Sequence, residues 1–263
     1  MSGPRRDTRG IVDASQLMRR VHFRRREPAP ALRPYLEHYW LIDWDLPEPY
    51  VSQVVPHPSV NVVFQRYADE ADFAEISGIG LGLSEQKLER SGRVCGIQFR
   101  PGGFRPFAPE HPASHWTGQR VRLPEADVDA ESVLAPSGED DRVAALDAYL
   151  LALAPAPDAQ ATRAMELADL IRRDRTIRRV EELAAGEGVS ARSLQRLFSA
   201  YVGVSPKWVI LRYRIHEALE RAETQSAIDW AGLAAELGYA DQAHLTRDFT
   251  ATIGVPPTAY AAH

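Results

Sequence analysis

One pattern occurs twice in this chain, and the repeat limits the possible architecture more than any other feature. LAAGEGVSARSLQRLFSAYVGVSP runs from Leu183 to Pro206, and LAAELGYADQAHLTRDFTATIGVPP from Leu233 to Pro257. Each opens Leu-Ala-Ala and passes a glycine, Gly188 or Gly238. Each then sets a Leu, an Arg and a Phe two residues apart: Leu194, Arg196 and Phe198, then Leu245, Arg247 and Phe249. In the first copy Leu194, Leu197, Phe198 and Tyr201 recur at i, i+3, i+4 and i+7, so one helical face is apolar and must be buried. Ser190 stands where an N-cap is expected, and Asp241 does so in the second copy. The opposite side carries Arg192, Gln195, Arg196 and Ser199, with no acid between Ser190 and Tyr201. In the second copy Gln242, Thr246, Arg247 and Thr250 take that side, with Ala243 beside them.

Each copy therefore reads as helix, short glycine turn, helix. That unit can lay its second helix in a DNA major groove, where Arg, Gln and Thr reach base edges or phosphates. The bland alternative is a pair of ordinary amphipathic hairpins with solvated arginines; duplication with matched outward arginines argues against it. Between the copies, Ser205 to Glu223 reads as a helix. Ser205 caps it, Pro206 suits its first position, and Trp208, Leu211, Ile215 and Leu219 form a stripe.

The strings SxxxLQRLFxxxxGxSPxxxxxxxRxxxA, from Ser190 to Ala218, and GYxDQxHLTRDFxxxxGVPPxxY, from Gly238 to Tyr260, resemble the DNA-binding domain of AraC/XylS-type transcription regulators. The resemblance spans residues 176–260, about a third of the chain. It implies two helix-turn-helix units joined by a long helix and reading adjacent major grooves. Carried over by position, the base-facing residues are Arg192, Gln195 and Arg196, then Gln242, Thr246 and Arg247; Ser199 and Thr250 lie on the same faces. VPHPSVNVVF at Val55 and GIQFRPGGF at Gly96 are similar to the sensor-type domain often attached to such regulators, which implies a β-rich, cupin-like fold.

The net charge of −5 weighs mildly against a nucleic-acid binder. Residues 160–263 nevertheless hold equal numbers of acidic and basic side chains, so the whole deficit lies before them. DNA binding must then rest on locally placed arginines. Arg172, Arg173, Arg175, Arg178 and Arg179 cluster just before the first unit, placed to meet phosphates or simply solvated. One cysteine, Cys95, rules out an internal disulfide and a Cys-rich zinc site. It reads as a small buried hydrophobe in a strand. No run is long and apolar enough for a membrane span, and MSGPRRDTRGIVDASQ has no apolar core of a signal peptide. A cytoplasmic protein is expected.

The N-terminal part reads as short strands punctuated by turns: 35–46 as a turn running into a strand, then 51–55, 60–67, 75–83, 93–100 and 119–123. A helix is expected over 140–153, a linker over 154–161 and a lead-in helix over 162–173. The expected fold is α+β: an N-terminal antiparallel β-barrel or cupin-like domain over 1–153, and an all-α C-terminal domain with two helix-turn-helix units over 162–263. An apolar barrel interior holding Trp40, Trp44 and Phe64, with His57 or Arg100 to orient a polar group, is the candidate effector site.

No nucleophile elbow, phosphate loop or dinucleotide fingerprint occurs, and neither a cofactor nor a metal site is expected. His111 and His115 stand four apart, but around Pro112, which breaks a helix. The sequence is thus that of a non-enzyme, with promoter DNA as partner, and RNA polymerase, a small-molecule effector and a second copy of the chain as further candidates. Two rivals remain at this stage: a metal-dependent cupin-type enzyme with a DNA-binding tail, and a regulator that dimerises without an effector.

Overall fold

The computed structural model describes residues 10–125, 127–224 and 228–260. The first nine residues, part of the stretch read as lacking a signal peptide, lie outside them. The first half runs β1 (Ile11–Val12), α1 (Ala14–Met18), β2 (His22–Arg26), β3 (Leu36–Asp45), β4 (Tyr50–Val54), β5 (Asn61–Tyr67), β6 (Phe73–Ser77), β7 (Ser84–Leu88), β8 (Ser91–Phe99) and β9 (Arg120–Arg122). Helices follow: α2 (Ala130–Leu134), α3 (Glu139–Ala152), α4 (Ala159–Arg173), α5 (Val180–Gly186), α6 (Ala191–Tyr201), α7 (Pro206–Thr224), α8 (Trp230–Glu236), α9 (Gln242–Ile253) and α10 (Pro257–Tyr260). The fold is α+β.

The strands do not close into a barrel. Six form an antiparallel sheet in the order β2-β3-β8-β5-β6-β9, and three form a second sheet, β1-β4-β7. Closure of the larger sheet would require β2 to pair with β9. Instead β2 is tied to the start of α3, where Arg24 and Arg26 meet Glu139 and Arg26 also meets Asp140. The stretch read as one strand over 75–83 ends at Ser77. Gly78 follows, and only glycine fits there, since a Cβ would lie 1.7 Å from the Trp116 carbonyl oxygen.

Strand alternation sorts the larger sheet's side chains onto two faces. Tyr39, Leu41, Phe64, Cys95 and Ile97 share one core with Val133 and Leu134 of α2 and Leu146 and Leu150 of α3. Phe64 is fully buried and meets the Tyr149 ring edge-on at 5.4 Å. Burying one such ring contributes about 1.5–3 kcal/mol. Burial pushes the Cys95 thiol up to about 11, so it is inert and packs as the small hydrophobe its sequence position suggests. On the other face Trp44, Val63 and Val94 pack with Leu17 of α1 and Leu88 of β7.

Two glycines of β8 make room for the tryptophans. Gly92 pairs with Trp44 and Gly96 with Trp40 across the β3–β8 ladder. A Cβ on Gly96 would sit 1.9 Å from the Trp40 ring. Gly96→Ala is therefore expected to lower stability by about 1–3 kcal/mol through overpacking. Thermal melts of the full chain check this; an unchanged melting temperature would mean that Trp40 turns aside freely.

The sheet core continues into the helices. The FRPGG turn seats Gly102, at φ +97°, against Ala164 and Met165 of α4. Arg100 reaches Asp169 of the same helix. The Asp158 carboxylate caps α4 by accepting from Gln160 and Ala161 backbone N–H groups, so α4 begins inside the stretch read as linker.

Candidate nucleic-acid interface

Both repeat copies fold as helix, glycine turn, helix: α5 with α6, and α8 with α9. Their likeness extends to the backbone. Gly188 and Gly238 each take a left-handed conformation in the turn, at φ +64° and +74°. Gly203 and Gly254 do the same after the second helix, at +102° and +90°. Only glycine takes such angles without strain, which accounts for its place at all four. Ser190 caps α6 by accepting from the Ser193 N–H at 3.1 Å. Asp241 caps α9 by accepting from the His244 N–H at 2.7 Å.

The apolar stripes point inward as their spacing requires. Leu194 and Phe198 are buried in the core shared with the sheet. Leu245, Phe249 and Ile253 are buried in a second core with Trp230, Leu233 and Ile215. The opposite sides are open. Arg192, Gln195, Arg196 and Ser199 of α6 are exposed, as are Gln242 and Arg247 of α9, while Thr246 and Thr250 are half-buried. Arg192, Arg196 and Arg247 make no hydrogen bond or ion pair among the described residues. Guanidinium groups left free on a helix face suit phosphate or guanine. Two acids flank the second reading face: Asp241 is engaged as the cap, and Asp248 stands 3.9 Å from His244.

The basic run before α5 is largely spoken for within the protein. Arg172 meets Glu37 and Asp169 at 3.1 and 3.0 Å, and Arg175 meets Glu217 at 3.0 Å. Arg178 lies over Gly238, in the turn of the second helix pair, and its carbonyl accepts from Arg214 at 2.8 Å. Arg214 in turn lies over the Tyr239 ring at 5.4 Å. Arg178 and Arg214 thus join the two helix pairs. The sequence reading passed over Arg214, because a polar residue on a helix looks solvated unless its neighbour in space is known.

The five residues proposed from sequence as an effector site are not brought together. Phe64 faces the helices, whereas Trp40 and Trp44 lie on the other side of the sheet. The period of two along each strand separates them, and an open sheet has no common interior to hold them. Arg100 is held by Asp169 and donates to the Pro34 carbonyl at 2.8 Å. His57 stacks on His216 of α7, with ring centroids 4.2 Å apart. Clefts open elsewhere. One of about 380 Å³ lies between α4 and α6 with Arg196 at its rim, and another of about 460 Å³ lies between Arg105–Pro109 and the chain before α4. None of the five lines either. Among the described residues no three His, Cys, Asp or Glu side chains converge as metal ligands, and no helix is long and apolar enough to cross a membrane.

Residues 24–122 match a family described as a domain of unknown function, DUF6597. Residues 183–263 match a helix-turn-helix domain family. No curated protein matches the chain. Solved structures similar to it include an apo form of ToxT from Vibrio cholerae, 12% identical over 90% of this chain and 99% of that one, with a TM-score of 0.45. A second ToxT structure is 11% identical over 85% and 97%, with a TM-score of 0.43. A fatty-acid-bound form is 10% identical over 92% and 91%, with a TM-score of 0.39. Likeness at that level is too slight to support any inference about this chain. The family match and the open arginine faces agree on the C-terminal part: the chain carries a helix-turn-helix DNA-binding domain, the mark of a transcription regulator.

Proposed function

We propose that the chain is a sequence-specific transcription regulator of the AraC/XylS type. Its two helix pairs act as two helix-turn-helix units, with α6 and α9 entering neighbouring major grooves of promoter DNA. Arg192, Gln195, Arg196 and Ser199 face the DNA from one, and Gln242, Thr246, Arg247 and Thr250 from the other. The N-terminal domain, residues 1–153, senses an effector or pairs two copies, and the helical domain, residues 162–263, binds in the cytoplasm and meets RNA polymerase there. The carrying observation is that three arginines of α6 and α9 are exposed and, among the described residues, unpaired, on helices whose other faces are buried.

The span of the connecting helix supports the reading. The 19 residues of α7 cover roughly 28 Å at about 1.5 Å each, close to the 34 Å or so of one DNA turn. Selection of genomic fragments bound by the full chain is the direct test, and half-sites about one helical turn apart are expected. On a selected site, Arg196→Ala should weaken binding by about 1–3 kcal/mol and relax specificity at one position. A binding titration with wild-type affinity and base preference would remove Arg196 from the interface.

A further inference from the structure

The two helix pairs do not share a core. Buried apolar side chains of α7 up to Ile210 belong with the sheet and the first pair, and those from Ile215 onward with the second. Apolar packing therefore holds each pair by itself and leaves their mutual angle to the stiffness of α7 and to polar contacts across it. DNA is exacting about that angle. One base pair more or less between two half-sites shifts them by about 3.4 Å and turns them by roughly 35°.

Arg214 stands at the divide, half-buried in the middle of α7. Its Nη2 donates to the Arg178 carbonyl at 2.8 Å, and its guanidinium lies over the Tyr239 ring at 5.4 Å. Both neighbours are anchored. The backbone N–H groups of Arg178 and Arg179 donate to the Glu182 carboxylate at 2.6 and 3.0 Å, which fixes residue 178 to the first turn of α5. Tyr239 is buried, its N–H donates to the Ala234 carbonyl of α8 at 2.9 Å, and the His244 ring of α9 meets it edge-on at 5.1 Å. Arg214 thus spans from the entry of the first pair to the reading helix of the second. A lysine could not do this, because it lacks a planar fork that bonds a carbonyl while its flat face covers a ring.

The turn glycines carry the same asymmetry. Gly188 and Gly238 hold matching places in the repeat. A Cβ on Gly188 would meet nothing within 4 Å, whereas one on Gly238 would lie 2.5 Å from Arg178 Cδ. The second turn is therefore a seat for an arginine of the first unit, and the first turn has no such load. An ionic chain runs beside it: Arg175 meets Glu217 at 3.0 Å, Glu217 meets Arg221 at 3.3 Å, and Arg221 reaches Glu236 of α8 at 3.6 Å.

We propose that Arg214, braced on Arg178, sets the angle between the two helix-turn-helix units and so the half-site spacing that the chain accepts. It is a positioning residue, selecting spacing without touching a base. This deepens the two-unit regulator reading and rests on it.

The test uses the full chain and a selected site, with the half-sites at their native spacing or one base pair nearer or farther. Arg214→Met keeps the side chain's length and loses its donors. It should reduce discrimination between native and shifted spacing by about three- to tenfold, within the worth of one charged hydrogen bond, with base preference inside each half-site unchanged. Gly188→Ala and Gly238→Ala both strain a left-handed turn and should lose affinity at every spacing. Gly238→Ala alone unseats Arg178 and should lose discrimination as well. A second readout needs no DNA. Spin labels on Ser199→Cys and Ala243→Cys, both exposed, report the distance between α6 and α9, since Cys95 is buried. The distance distribution should broaden when Arg214→Met is added. If Arg214→Met fails to fold, Arg214→Lys should show the same loss of discrimination and the same broadening. Paired half-sites with unchanged discrimination, an equal loss of affinity at all spacings, or an unchanged distance distribution would each overturn the strut and leave the regulator reading intact. Selected fragments with a single half-site would instead overturn the two-unit reading, and the spacing role with it.

Discussion

Phe198→Ala should destabilise the chain by about 3–5 kcal/mol, the usual cost of removing a buried aromatic ring and leaving its cavity. Phe198 is 0% exposed and sits on the inner face of α6, in the core that joins the first helix pair to the larger sheet. Only Leu194 and Phe198 of that helix are fully inside. The placement of Arg192 and Arg196 therefore depends chiefly on these two side chains, with Ala191, Leu197 and Tyr201 packed partly against the same core. Against a net stability of about 5–15 kcal/mol this is a large fraction. Urea unfolding is the measurement, and the informative comparison is Arg196→Ala. The outer arginine should change DNA affinity and leave the midpoint unmoved, whereas the inner phenylalanine should lower the midpoint sharply. A Phe198→Ala protein of wild-type stability would mean that α6 is not held by its apolar stripe.

Removal of the Asp43 carboxylate should have an effect of similar size. Asp43 lies among three guanidinium groups, those of Arg24, Arg93 and Arg142. Burial favours its neutral form, but the hydrogen bonds from the three arginines outweigh this and hold the carboxyl at about 2. Asp43→Ala leaves buried Arg142 facing two more cations, and breaking such a pair costs about 3–5 kcal/mol. The pH dependence follows from the depressed value. The folded carboxyl titrates below its unfolded counterpart near 3.9, so its contribution is complete above about pH 5. It is lost as pH falls from there towards 2, by about 2–3 kcal/mol in all. Asp43→Asn should flatten that acid limb while keeping the side chain's shape. An acid limb identical in wild type and Asp43→Asn would show that the cluster is too well hydrated to matter.

The helical half was legible because its signals are local. Caps at Ser190 and Asp241, glycines at the turns and a 3.6-residue apolar period each act within a few residues, and the helices form where those signals stand. The outward arginines could be placed for the same reason. Strands were legible only where apolar side chains alternate. His22–Arg26 and Ser84–Leu88 escaped notice because HFRRR and SEQKL are polar, and what makes them strands is a partner far along the chain. Barrel closure was expected from short runs set off by turns and from the cupin-like resemblance, but whether two edges meet is a property of the whole sheet. The burial of Arg212 on α7 was not legible for a related reason. Nothing in its neighbours in sequence says that a loop 131 residues away closes over it.

The two ends of the larger sheet carry one more implication. At one end Arg24 and Arg26 of β2 are strapped to the acidic first turn of α3. At the other, β9 is only three residues long, with Arg120 on Glu75 and Arg122 over the Phe73 ring at 3.9 Å. Charge at one margin and shortness at the other blunt both edges against a foreign strand. Pairing of two copies through the larger sheet is therefore disfavoured, which leaves the margins of the smaller sheet, helices and loops as places where copies could meet.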